Sequence, residues 1–154
     1  MEYNAVGIDV SKGKSTICIG RPMGEVVATP FEIKHTKADV DNLIRRINGL
    51  DGDTKIVMES TGRYPLPLLT RLSDAGLYVS MVNAKLIKDY NPDNSLRNVK
   101  SDKADSKKIM AYTLDKWLLL KQYGAMDKIR EQLKIVNRQF DFYMQQRISL
   151  QNNL

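Results

Sequence analysis

Cysteine and histidine are almost missing from this 154-residue chain, which has one of each, Cys18 and His35. A lone cysteine permits no disulfide within the chain, and its place inside an apolar run marks it as a small buried hydrophobe. Without further histidines or cysteines, a zinc site or a histidine-based triad lacks partners. His35, in a turn ahead of an expected helix, therefore takes no catalytic part. Long apolar runs are lacking too. None approaches the ~20 residues that span a bilayer, so no membrane association is expected. The opening MEYNAVGIDV has no basic stretch followed by an apolar run and a small-residue cleavage site, which argues against a secretory signal. Internal repeats and low-complexity tracts are also absent. Together these absences point to the reducing cytoplasm.

What is present is ordinary in amount and uneven in placement. Apolar residues make up 42% and charged residues 27% of the chain, values that suit one domain with a single core. The net charge is +6. Residues 1–63 hold nine basic and nine acidic side chains, whereas residues 64–154 hold fifteen and nine. A basic second half argues for a polyanionic partner held through phosphate contacts.

Residues 3–10 and 15–20 are apolar, β-branched runs joined by Lys12, Gly13 and Lys14, which reads as a hairpin. Residues 25–33 read as a third strand, with Pro30 suited to an edge or a bulge. Thr36 can cap a helix over 37–47, where Val40, Leu43, Ile44 and Ile47 follow helical spacing. Residues 54–58 form a fourth strand ending at Glu59. A helix over 63–75 is stopped by Gly76, a fifth strand follows over 78–82, and a short helix over 84–90. Residues 91–100 are polar, contain Pro92 and are expected to be mobile. From Asp102 the chain turns helical as far as Tyr123, breaking at Gly124. This order implies an α/β fold, a mixed sheet flanked by helices. After the break, Ile129, Leu133, Val136, Phe140 and Tyr143 step by four and three, with Leu150 continuing after Arg147. That heptad seam is expected to pair with another chain as a coiled coil, making a homo-oligomer; packing back on its own domain is the alternative.

Four acidic residues stand out: Asp9 in GIDVSK, Glu59 in VMESTGRY, and Asp102 and Asp105 in KSDKADSKK. Asp9 and Glu59 end apolar runs, where a carboxylate is badly placed unless paired or bound to a cation. Asp102 and Asp105, three apart, share a helical face and can reach one ion. They can equally be a helix cap and a first-turn residue favoured by the helix dipole. Carboxylates so placed suit hard divalent cations that grip phosphate.

These stretches carry a family resemblance. AVGIDVSKGKSTICIG, VMESTGRYPLPLLTRLSDAGLYVSMVNAKLIKDY and NVKSDKADSKKIMAYTLDK, in that order, resemble the N-terminal RuvC-like domain of DEDD-type bacterial insertion-sequence transposases. In that family a bridge RNA directs the choice of target and donor. The resemblance implies a ribonuclease H-like fold over residues 1–123, with a coiled-coil segment over 124–154. It places the metal-binding, catalytic acids on Asp9, Glu59, Asp102 and Asp105, with Mg²⁺ as cofactor and Mn²⁺ as a substitute. It implies DNA and a guide RNA as partners and the bacterial cytoplasm as location. It also implies a serine nucleophile in a second domain, which nothing up to Leu154 can supply, so this stretch alone is not expected to have complete recombinase activity.

Lys12, Lys14, Arg63, Lys100, Lys103, Lys107 and Lys108 lie near the acids in sequence, as phosphate clamps or as plain solvated charges. Tyr64 can stack on a base or pack on its helix. Ser11, Ser60 and Ser101, beside the acids, read as turn, cap and supporting residues. Three other readings compete: an RNA-binding and assembly module without activity of its own, a stand-alone RuvC-like nuclease, and an actin-like or sugar-kinase-type ATPase. For the last, GIDVSKGKS resembles a phosphate-binding hairpin, but the chain is too short for two lobes and has no second glycine-rich loop.

Overall fold

The computed structural model describes residues 2–60, 65–91 and 101–153. Arg63, Tyr64, Lys100 and nearly all of the polar stretch 91–100 lie outside them. The chain forms two compact units, Met1–Gln122 and Tyr123–Leu154.

The first unit is built on a five-stranded sheet in the order β3-β2-β1-β4-β5. Strands β1 (Tyr3–Ser11), β2 (Lys14–Gly20) and β3 (Val26–Lys34) form an antiparallel meander. Strands β4 (Asp53–Ser60) and β5 (Tyr78–Asn83) run parallel to β1. The first hairpin is longer than expected. Ser11 still pairs with Lys14, leaving Lys12 and Gly13 as the turn, with Gly13 at φ +77°. Asp9 therefore lies within β1, two residues before its end. Pro30 falls on edge strand β3 beside a register shift, where three steps from Ala28 to Phe31 oppose two from Ile17 to Ile19. A missing ladder donor matters least there.

The two faces of the sheet are covered differently. Ile8 pairs with Ile17, and Ile17 with Phe31, so these three share one face. Arg46 of α1 (Lys37–Asn48) lies over the Phe31 ring, which sets α1 on that face. Its Asp41 accepts from Arg71 of α2 (Pro65–Asp74) at 2.7 Å. Val40, Leu43 and Ile47 of α1, and Leu68, Leu69 and Leu72 of α2, are buried with Ile8, Ile56 and Met58 in the main core. Thr36 caps α1 by accepting from the Asp39 N–H, and Gly76 ends the α2 turn at φ +81°.

The opposite face carries α3 (Ala84–Asp89) and α4 (Asp102–Asp115), whose Ile87 and Ile109 cluster with Val57 and Val82 of the sheet. Cys18 is buried, and burial pushes its thiol pKa up. Helix α4 does not reach Tyr123. It gives way after Asp115 to a 3-10 turn over Trp117–Leu119. The cause is tertiary: the Trp117 ring packs on Tyr3 at 4.4 Å, and Lys55 Nζ donates to the Trp117 carbonyl at 2.8 Å. The same ammonium lies 4.8 Å from the Tyr78 and Trp117 ring centroids.

In the second unit, α5 (Ala125–Asn152) is one helix of 28 residues. Its first turn is closed by Asp127, whose carboxylate accepts from the Gly124 N–H at 3.0 Å. Ile129, Leu133, Val136, Phe140, Tyr143 and Leu150 are all exposed. Among the described residues, no helix is long and apolar enough to cross a membrane.

Candidate metal centre

The parallel register pairs Ile8 with Met58, which brings Asp9 and Glu59 to neighbouring positions at the carboxyl ends of two adjacent strands. Side chains alternate across a strand, so Asp9 shares a face with Gly7, the face against α4. Gly7 is what lets α4 come down. A Cβ there would collide with the backbone nitrogen of Met110 and the carbonyl oxygen of Ser106. At Gly20 a Cβ would meet the Met110 sulfur. Glycine inside a strand signals close backbone approach, and that signal was present in GID, though Gly7 carries no chemistry itself. Ser106 is wholly buried, with its hydroxyl donating to the Lys103 carbonyl at 2.8 Å.

With the helix seated, its first turn stands over Asp9. One carboxylate oxygen from each of Asp9, Asp102 and Asp105 lies within 4.8 Å of the other two. Asp9 is half-buried and Asp102 exposed. The cap of α4 is Ser101, whose Oγ accepts from the Ala104 N–H at 3.1 Å. Asp102 is thus the first helical residue and not the cap, which leaves its carboxylate to the cluster. Glu59 is outside this group of three but close enough to feel it. Burial raises its pKa, Asp105 raises it further, and Lys108 pulls it down. Asp9 is pushed from 3.8 up to about 6, first by burial and then by Asp105, Asp102 and Glu59. Three carboxylates drawn together, one of them resisting ionisation, form a donor set that fits a hard divalent cation.

The expected basic residues are placed unequally. Lys12 in the hairpin turn and Lys103 and Lys107 on α4 are exposed. Lys14 pairs with Glu32 at 3.2 Å, and Lys108 donates to the Lys88 carbonyl at 3.0 Å. Arg63 and Lys100 lie outside the described residues. Ser11 donates to the Lys14 carbonyl at 3.2 Å, a turn contact. His35 lies away from the acids, 2.7 Å from the buried Ser15 hydroxyl, and burial lowers its pKa.

Solved structures define the class. RuvC of Thermus thermophilus, in complex with a Holliday junction substrate, superposes with a TM-score of 0.58 at 9% identity, covering 79% of this chain and 99% of that one. A second Thermus thermophilus RuvC structure gives 0.51 at 13% identity, covering 80% and 100%. The fold is therefore RuvC-like, of the ribonuclease H type. No curated protein matches the sequence. Residues 6–154 match the IS110-type DEDD family, described as Transposase, and the chain belongs to that family.

Proposed function

We propose that this RuvC-like domain is the metal-binding part of a DNA transposase or recombinase. In this reading Asp9, Glu59, Asp102 and Asp105 hold Mg²⁺, for which Mn²⁺ can substitute, and so position a DNA phosphate for strand cleavage and exchange. The observation that carries it is the convergence of Asp9 with Asp102 and Asp105 within 4.8 Å. When bound, the cation polarises a phosphoryl oxygen and offsets the charge that develops on it. Asp9 is the fixed ligand, anchored in a central strand, while α4 delivers two carboxylates from one turn. Glu59 adjusts the charge of the group from the adjacent strand. Lys12, Lys103 and Lys107 hold neighbouring phosphates, and Lys14, Arg63, Lys100 and Lys108 are assigned the same role in this reading.

The Holliday junction bound by the RuvC neighbour and the family's description support DNA as the substrate. The attacking serine comes from a further domain, and a guide RNA lying on the basic half selects the target. A second contribution is assembly. Helix α5 buries no residue along its 28, and its heptad seam, through Ile129, Leu133, Val136, Phe140 and Tyr143, pairs with another copy.

Fluorescence anisotropy with a labelled branched DNA tests this reading. Wild type binds in Mg²⁺, Lys103→Glu with Lys107→Glu weakens binding by about tenfold or more, and Asp9→Asn removes the Mg²⁺-dependent part. Equal binding by all three proteins, unchanged by EDTA, rejects it.

A further inference from the structure

Among the described residues, strand β5 ends the sheet, pairing with β4 and with no further strand. Among the described residues, no turn, loop or cap hydrogen bond reaches the backbone of residues 79–82 from elsewhere. Beside this open edge lies a cavity of about 200 Å³, between β5, the start of α3, the end of α4 and the 3-10 turn that follows it. Its walls are apolar, with Val82, Leu86, Tyr112, Leu119 and Leu120 contributing. Leu86 and Leu119 are 54% and 75% exposed, more apolar surface than a finished edge presents. Ser80 lies on the same face of β5 as Val82 and is also part of the lining. Its hydroxyl is wholly buried and, among the described residues, has no hydrogen-bond partner. The charged residues of the lining are Lys116 and Lys121, with no carboxylate among the lining residues; the neighbouring Asp115 accepts from the Tyr90 hydroxyl.

We propose that this edge takes an extended, glutamate-bearing segment of a partner protein as an additional strand beside β5. An open strand edge offers alternating N–H and C=O groups at a spacing that a peptide main chain matches and a sugar-phosphate chain does not. Alternate side chains of the incoming strand face α4 and enter the cavity. A glutamate there lays its methylenes on Val82 and Leu120, accepts from the Ser80 hydroxyl, and meets the ammonium groups of Lys116 and Lys121. Each feature of the groove then has its complement: open edge, apolar wall, orphaned donor and the two lysines of the lining. This binding surface is separate from the acids and does not depend on their binding metal.

The test uses the whole chain and a fluorescent hexapeptide of alternating glutamate and valine. Expected is saturable binding that slows amide exchange at residues 79–82. It is weakened by about tenfold or more when alternate peptide amides are N-methylated, which removes the ladder and keeps the charge. Lys116→Glu with Lys121→Glu has a similar effect. Ser80→Ala raises the melting temperature of the free protein, since it removes a buried unpaired hydroxyl, yet weakens the peptide by about fivefold. Equal affinity for the N-methylated peptide, protection of amides elsewhere, or capture at this surface of a single-stranded oligonucleotide in place of the peptide overturns the proposal.

Discussion

Asp9 carries its charge at a cost. Because its pKa in the folded protein stands at about 6 against an ordinary 3.8, folding favours the protonated form. The stability arising from that preference is complete below 3.8 and is lost as pH rises through about 6. In EDTA, therefore, Asp9→Asn melts close to wild type near pH 4 and several degrees higher near pH 8, about 3–5 °C for a domain of this size. A melting difference that stays flat across that range would remove the electrostatic account of this residue. Gly7 makes the complementary residue-scale prediction. Alanine there must push α4 away from β1, at about 1–3 kcal/mol of stability measured by urea unfolding, and lift Asp102 and Asp105 off Asp9. If Gly7→Ala unfolds like wild type, the helix is not held by that contact.

At the scale of elements, the strands and the first helices were readable because local and global preferences agree in them. Apolar, β-branched runs marked β1, β2 and β4, Thr36 marked the start of α1, and Gly76 the end of α2. The end of α4 was not readable. Its apolar residues run on past Asp115, but Trp117 is claimed by Tyr3 and Lys55, partners more than 60 positions away in sequence. The site divides in the same way. Spacing of three puts Asp102 and Asp105 on one face, yet nothing local reveals that Ser101, not Asp102, caps the helix. That arrangement yields a prediction for the element: Ser101→Ala removes the cap and costs about 1 kcal/mol. It also loosens the turn that presents both aspartates, so metal affinity falls with stability. Loss of stability with metal affinity unchanged would mean that the turn is fixed from elsewhere.

For the whole molecule, the unequal use of its length matters. The sheet-based unit buries a continuous core, whereas α5 leaves a row of large apolar side chains in water. Sedimentation velocity of wild type against Val136→Glu with Phe140→Glu is expected to show an assembled species replaced by monomer. A monomer in both cases would assign that face to something other than a second copy. The basic excess lies beyond residue 63, and on α4 the exposed Lys103 and Lys107 share the helix with Asp102 and Asp105. The role assigned to the molecule nevertheless rests on four carboxylates acting as one site. Calorimetric titration of Mn²⁺ into the whole chain near pH 7.5 tests this most directly. The account predicts saturable binding to wild type, weakened by about tenfold or more in Asp9→Asn and in Asp105→Asn, with both variants still folded. Binding of equal strength in all three proteins, or no binding to wild type at millimolar Mn²⁺, would contradict it.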